Sequence, residues 1–225
     1  YVCRLADIPQ IGPVNSVSVS DGSVLLGSDD GLYLKDSRGF RPLLSGVPVL
    51  SVCQGGQNII WAGTDMSGVV RLSQGLHIFA SVPSDGPAVF NGCAVRSFAQ
   101  EGRNGLWVGT KGAGLWLFQD SRSRIHFTAR NSALADDNVY SLASVGGRIW
   151  IGTDGDGLNY IPSGSRRICR LEMPEGIDLH SSYCILPCRG RIYIGTGGVG
   201  MVELELDDSI GGLTVKSARQ FRRSD

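Results

Sequence analysis

The fold is decided by a stretch that reads GRIWIGTDGDGLNY at residues 147–160. Its centre is a cassette of a large apolar residue, a β-former, Gly and Thr at 150–153, followed by a second Gly at 157 and an aliphatic residue. The cassette recurs in five places, with its first glycines 36, 46, 43 and 43 residues apart, at 25–28, 61–64, 107–110, 150–153 and 193–196. Such a period indicates supersecondary units that bury their apolar faces by stacking on their neighbours.

Each repeat is built from strands. A short alternating run such as VYSL at 139–142 precedes the cassette, and a glycine turn such as Gly146-Gly147 separates the two. Gly tolerates the positive φ that tight hairpins need. Two further apolar runs follow the cassette, at 157–161 and 167–171 in the fourth repeat. Four short strands in about 43 residues predict an all-β fold, a β-propeller made of four-stranded antiparallel blades.

The repeats predict a single propeller domain over residues 1–225, with blades at approximately 14–44, 49–80, 95–128, 139–172 and 183–221. Residues 1–5 copy the fourth-strand sequence at 167–171, and therefore predict the outer strand of a further blade.

Two arrangements are open. Residues 1–5 could complete the last blade and close a five-bladed ring, with the chain from Leu213 onward as a tail. Alternatively, the five repeats are consecutive blades of a larger ring of about seven. We favour the larger ring because the stretch from Leu213 to Phe221 is itself strand-like.

Composition excludes some classes of function. Lys plus Arg and Asp plus Glu balance at 21 each, so we expect no nucleic-acid partner and no contact of this segment with a membrane surface. No apolar stretch reaches the ~18 residues of a membrane span. The N-terminus has no charged-then-apolar signal segment, so we expect a mature chain or an excised piece of one.

VYSL and the stretch quoted above resemble the two-component-regulator propeller repeat, and the third repeat at 105–116 fits as closely. The resemblance covers essentially the whole chain, with departures at Leu25 and Ser28 in the first repeat and at Tyr183 and Ile185 in the fifth. In that family the repeats form the sensor region of hybrid two-component regulators, often tuned to glycans in gut Bacteroidetes. The resemblance implies a periplasmic sensor domain in signal transduction, the extracytoplasmic part of an inner-membrane receptor. It implies a small-molecule or oligosaccharide ligand, with a homodimer of the parent receptor as a further expectation.

The cassette residues are explained by structural roles, without a role in ligand binding. The four aromatic residues are expected to lie between adjacent blades, where each ring buries ~150–250 Å²; they are Trp61, Trp107, Trp150 and Tyr193. The cassette Thr hydroxyls are expected to bond backbone groups at the strand end. A functional site should therefore be sought where the repeats differ.

The repeats differ in the turns between the second and third strands and in the connections to the next blade. If the four strands alternate in direction, these turns and connections lie on one face of the domain, which we call the variable face. Carboxylates and amides suit sugar hydroxyls, aromatic rings pack against sugar faces, and Lys111 could pair with an acidic sugar. The bland alternative is that these are solvated loop residues. The candidate ligand-binding residues are Asp65, Lys111, Asn138, Tyr140, Asp154, Asp156, His180 and Tyr183.

The sequence contains few signals for metal binding, catalysis or disulfide formation. DGDG at 154–157 resembles the start of a calcium loop, but the twelfth position counted from Asp154 is Ser165 rather than Glu. The three His are scattered, so we expect no metal, no cofactor and no catalytic residues. The six Cys are expected to be buried free thiols, with the pairing of any of them left open. The alternatives to a sensor are a protein-interaction propeller without a small ligand and, less favoured, a propeller lyase or lactonase.

Overall fold

The computed structural model describes residues 11–20, 22–55, 59–73, 80–82, 90, 92–102, 105–119, 124–155, 157–209 and 212–222. Twenty strands in these ranges form five four-stranded antiparallel sheets. The described residues contain no helix, and so none that is long and apolar enough to cross a membrane. The predictions of an all-β fold and of four strands per repeat are confirmed.

Every sheet takes four strands that are consecutive in the chain. Sheet one consists of β1 (Val14–Ser20), β2 (Ser23–Ser28), β3 (Gly31–Asp36) and β4 (Gly39–Ser45). Sheet two consists of β5 (Val49–Gln54), β6 (Ile59–Thr64), β7 (Val69–Ser73) and β8 (Ala80–Val82). Sheet three consists of β9 (Val95–Glu101), β10 (Gly105–Thr110), β11 (Leu115–Phe118) and β12 (Arg124–Phe127). Sheet four consists of β13 (Val139–Val145), β14 (Arg148–Thr153), β15 (Leu158–Ile161) and β16 (Cys169–Leu171). Sheet five consists of β17 (Ser182–Cys188), β18 (Arg191–Thr196), β19 (Met201–Ser209) and β20 (Gly212–Phe221).

The fourth strand of sheet five is β20, which pairs with β19 from Met201↔Phe221 to Ser209↔Gly212. The prediction that this stretch is a strand is confirmed. The alternative in which the chain from Leu213 onward is a tail is therefore wrong, because this stretch pairs with β19. The number of blades in the ring stays a prediction. Residues 1–5 themselves lie outside the described residues.

Backbone contacts divide the chain into two compact units, with the division after Val95. The first unit contains sheets one and two around a core that includes Leu25, Val49 and Ile60. The second unit contains sheets three to five, and its two core clusters include Trp107 and Trp150.

Trp107 and Trp150 are the largest fully buried side chains, with exposed fractions of 0% and 1%. Trp107 shares a cluster with Val139 and Ile151 of sheet four. Trp150 shares the next cluster with residues of sheet five such as Val202. The prediction that these rings lie between adjacent sheets is confirmed for both. It holds only in part for Trp61 and Tyr193, which are half-buried.

An arginine covers each of these two buried rings. The Arg166 guanidinium carbon lies 5.9 Å from the Trp107 ring centroid and its Nη1 donates to Glu101 at 2.8 Å. The Arg148 guanidinium carbon lies 5.7 Å from the Trp150 centroid, and its Nη2 bonds Asp208 at 2.9 Å. Both arginines add a cation–π contact to the apolar burial of the ring.

Cassette hydroxyls close the turn to the third strand. The Thr110 hydroxyl donates to the Gly114 carbonyl at 2.8 Å, as the Thr64 hydroxyl does to Gly68. Gly114 has φ of 68°, and the Phe127 carbonyl occupies the place that a Cβ would take. Only Gly fits both the dihedral and the close approach. The structural prediction for these hydroxyls is confirmed.

The first strand of a sheet contains a β-bulge. In sheet four Val139 pairs with Thr153 and Ser141 with Gly152, so Tyr140 is the extra residue. The registers of sheets one, two and five shift at the same place, around Asn15, Leu50 and Tyr183. Arg96 holds this position in the sequence of sheet three. We call these five the bulge-position residues.

A buried serine follows the bulge and forms a hydrogen bond to the next sheet. The Ser141 hydroxyl donates to the Ser182 carbonyl of sheet five at 3.1 Å. A Cβ at the paired residue, Gly152, would collide with both of these groups. The cassette Gly thus makes room for a hydroxyl that joins adjacent sheets.

The cysteines differ from the expectation of burial. Cys53, Cys93 and Cys169 are half-buried free thiols, and burial raises the pKa of Cys53 to about 11. Cys184 and Cys188 are free and exposed, so the expectation is wrong for these two. They lie four residues apart on one strand, a separation of roughly 13 Å that is too long for a disulfide. Cys3 lies outside the described residues.

Replacing Trp107 with Ala should lower the free energy of unfolding by about 3–5 kcal/mol, since it removes a fully buried ring and leaves a cavity. Trp61→Ala is the matched control, because the Trp61 ring is half-buried and should cost less. Urea denaturation followed by circular dichroism measures both. A loss below about 1 kcal/mol for Trp107→Ala would mean that the ring is not part of the core.

Candidate functional site

A pair of positions meets at one end of sheets one, two, four and five. The first is the bulge-position residue, and the second is the residue directly after the cassette Ser or Thr. The backbone N–H of Asp154, a residue of the second kind, donates to the Asn138 carbonyl just before β13 at 3.0 Å. Asp29, Asp65 and Gly197 bond the residue before their own first strand in the same way. The turn after the second strand and the chain that enters the first strand therefore share one end of the sheet, as the variable face requires.

Side chains at the two positions contact each other within a sheet. Asn15 Nδ2 donates to Asp29 Oδ1 at 2.8 Å in sheet one, and the Tyr140 hydroxyl donates to Asp154 Oδ2 at 3.3 Å in sheet four. In sheet five the second position is Gly197, where an added Cβ would lie 3.0 Å from Cε2 of Tyr183. We call these the paired positions.

Bulge-position residues also contact one another across sheets three, four and five. The Tyr140 and Tyr183 ring centroids are 4.7 Å apart with an interplanar angle of 64°, an edge-to-face pair. The Arg96 guanidinium carbon lies 5.7 Å from the Tyr140 ring centroid. Three consecutive first strands thus contribute one continuous row of large polar and aromatic side chains.

Asp154 is held in place by two donors. Its Oδ1 accepts from the Ser181 hydroxyl at 2.6 Å, while Oδ2 accepts from Tyr140. Ser181 has φ of 56°, a left-handed conformation that is costly for a residue with a Cβ. The bond to Asp154 and the N–H of Gly197 on the Ser181 carbonyl hold it there. We call Arg96, Tyr140, Asp154, Ser181 and Tyr183 the Tyr140 cluster.

The cluster raises the pKa of Tyr140 above its ordinary value. Burial is the largest cause that raises the pKa of Tyr140, followed by the negative charge of Asp154, and the Arg96 charge acts in the opposite direction. The folded state therefore holds this proton more tightly than the unfolded state. The associated stability is fully present below pH about 10 and is lost as pH rises through the raised pKa. Near neutral pH Tyr140 is a hydrogen-bond donor.

The structure brings three of the predicted residues together, namely Tyr140, Asp154 and Tyr183. Asn138 lies beside them, since its carbonyl accepts the Asp154 N–H. His180 is exposed and precedes Ser181 in the chain, and its backbone N–H donates to Asp178 Oδ1 at 2.9 Å.

The other three predicted residues are not members of the Tyr140 cluster or lie outside the described residues. Lys111 is exposed at the second paired position of sheet three. Asp65 is exposed at that position in sheet two, in the first unit. Asp156 lies outside the described residues.

Sequence reasoning missed Arg96 and Ser181. Arg96 occupies the same repeat position as Tyr140 and Tyr183, so an alignment of the first strands would have found it. Ser181 gave no signal, because its bond to Asp154 joins two turns that are 27 residues apart.

A groove lies along β16 and the connection that follows it. Its volume is about 810 Å³, within the range of ligand sites, and it is lined by Gly157, 170–173 and 176–179. The lining reaches to within three residues of Asp154 and two of Ser181 along the chain. Among the described residues no three His, Cys, Asp or Glu side chains are placed to hold a metal ion.

No protein-family model matches the chain, and no curated protein matches its sequence. Several solved structures have a similar fold. The extracellular domain of a protein assigned to the hybrid two-component systems of B. thetaiotaomicron superposes with a TM-score of 0.74 at 23% identity, over 96% of this chain and 29% of that one. A second such domain from that organism gives a TM-score of 0.71 at 20% identity, over 94% and 28%. A protein of Thermus thermophilus assigned as an oxidoreductase of the glucose dehydrogenase type gives 0.64 at 14% identity, over 94% and 84%.

The resemblance predicted from the repeats is thus confirmed at the level of the fold, because the similar structures include extracellular domains of hybrid two-component systems. The chain spans less than a third of the length of those two domains.

Asp154→Asn should lower the pKa of Tyr140 toward the usual tyrosine value of about 10, since it removes a negative charge beside the phenol. Asp65→Asn is the matched control, because its paired position is Leu50 and it should leave Tyr140 unchanged. NMR titration of the Tyr140 ring signals measures the effect. An unchanged pKa in Asp154→Asn would contradict the contact.

Proposed function

We propose that the chain is a ligand-sensing region of an extracytoplasmic two-component receptor, and that its signal is a glycan-derived small molecule. The observation that carries the proposal is the Tyr140 cluster. It lies at the end of the sheets where the repeats differ, and it combines a positioned carboxylate, a phenol donor and an exposed ring.

The residue types suit a saccharide. Asp154 can accept from sugar hydroxyls, and Tyr140 can donate or accept. The Tyr183 side chain is 50% exposed, which leaves part of its ring open to pack against the apolar face of a sugar.

The location proposed is the periplasm, as part of an inner-membrane protein. Support comes from the extracellular domains that share the fold. The radial arrangement of the sheets as propeller blades, in a ring of about seven, is part of the proposal and rests on the sequence repeats. A homodimer of the parent receptor remains part of the proposal.

We propose no catalytic role for this region. The fold also occurs in a protein assigned as an oxidoreductase, so the proposal rests on the makeup of the Tyr140 cluster. The cluster holds one carboxylate, Asp154, which accepts from the Ser181 and Tyr140 hydroxyls, so it lacks the second carboxylate that divides the acid and base roles in glycoside hydrolysis.

Calorimetric titration of the 225-residue chain with a panel of plant and host oligosaccharides tests the proposal. At least one should bind, and Asp154→Ala combined with Tyr183→Ala should weaken that binding by about tenfold or more, since a hydroxyl acceptor and a stacking ring are both lost.

Asp207→Ala is the control, since it removes an exposed carboxylate near the tip of the β19–β20 hairpin, on a different turn. Its affinity should match wild type. Equal loss in the control and the double variant would mean that the effect is not local, and unchanged affinity in a folded double variant would place the site elsewhere.

A further inference from the structure

The paired positions of sheet three hold two cations, Arg96 and Lys111. In sheets one and four the side chains at these positions are hydrogen-bonded to each other, and in sheet five the two positions lie directly beside each other. Because the sheets repeat one topology, Arg96 and Lys111 occupy the two corresponding points of sheet three. Elsewhere the pair combines a neutral side chain with Asp or Gly.

No carboxylate among the described residues forms an ion pair with either of these cations. The carboxylates of the adjoining connection are engaged locally: Asp137 Oδ1 accepts the Ala129 N–H at 2.8 Å, and Asp136 Oδ1 accepts the Asn138 N–H at 2.7 Å.

Both cations are exposed at the variable face, and Arg96 reaches over the Tyr140 ring. Two adjacent like charges repel each other, and an anion that bridges them removes the repulsion. The planar Arg fork bonds a carboxylate or sulfate with two parallel N–H groups, and Lys adds a point charge.

We infer that Arg96 and Lys111 form an anion-binding subsite, which takes the carboxylate or sulfate group of an acidic saccharide. The inference rests on the proposed function and narrows it. The acidic group lies on sheet three, and the neighbouring sugar ring lies against Tyr140, Asp154 and Tyr183 on sheets four and five. The chain thereby distinguishes acidic from neutral glycans.

Inorganic sulfate tests the subsite without any saccharide. NMR titration of the 225-residue chain should show saturable shifts of the Arg96 and Lys111 signals, weakened by added sodium chloride. Arg96→Gln plus Lys111→Gln should weaken sulfate binding by about tenfold or more. The control, Arg38→Gln plus Arg124→Gln, carries the same change of net charge at two other exposed arginines and should bind as wild type. Equal binding in both double variants would overturn the subsite.

A matched pair of saccharides then separates the two proposals. An oligogalacturonide should bind about tenfold more tightly than a neutral galactose oligomer of the same length, and the Arg96/Lys111 double variant should lose that preference. Binding of both oligomers without preference would overturn the subsite and leave the proposed function standing. Binding of sulfate without either oligomer would overturn the assignment to an acidic saccharide and, for these sugars, the proposed function.

Discussion

The rest of the structure depends on the close approach between the cassette Gly and the first strand of its sheet. The cassette Gly lies opposite a small residue of the first strand, and in sheet four the space that a Gly152 side chain would fill holds the Ser141 hydroxyl and the Ser182 carbonyl of the next sheet. A buried hydroxyl and carbonyl that bond each other avoid the desolvation cost of leaving either one unpaired. The neighbouring sheets are thereby joined by a polar bond at one end, while Trp150 fills the apolar space between them.

The bulge gives this scaffold a place for variation. Register shifts by one residue just before the serine, so the bulge-position side chain leaves the regular alternation of the strand. Since this residue is the unpaired one of the ladder, its identity can change without loss of the strand pairing. The five positions accordingly hold four different residue types, as Asn15, Leu50, Arg96, Tyr140 and Tyr183. Three of them meet in one row, which is where we propose that the ligand is recognised.

The sequence was sufficient for the strands, because the cassette glycines and alternating runs are local signals, and it also indicated that β20 completes sheet five. It gave the variable face from strand direction alone, and with it Tyr140, Asp154 and Tyr183. It could not supply Ser181, whose left-handed backbone and bond to Asp154 arise only when two distant turns meet. Nor could it show that Cys184 and Cys188 would be exposed, because burial depends on what covers the strand.

The central claim is that the Tyr140 cluster recognises the ligand, whereas the cassettes hold the sheets in place. A crystal structure of the chain with a bound oligosaccharide tests this most directly. The account predicts sugar density against the exposed Tyr183 ring, with a hydroxyl within hydrogen-bond distance of the Asp154 carboxylate. Density at the opposite ends of the sheets, beside Glu101 and Arg166 or beside Arg148 and Asp208, with the Tyr140 cluster empty, would contradict it.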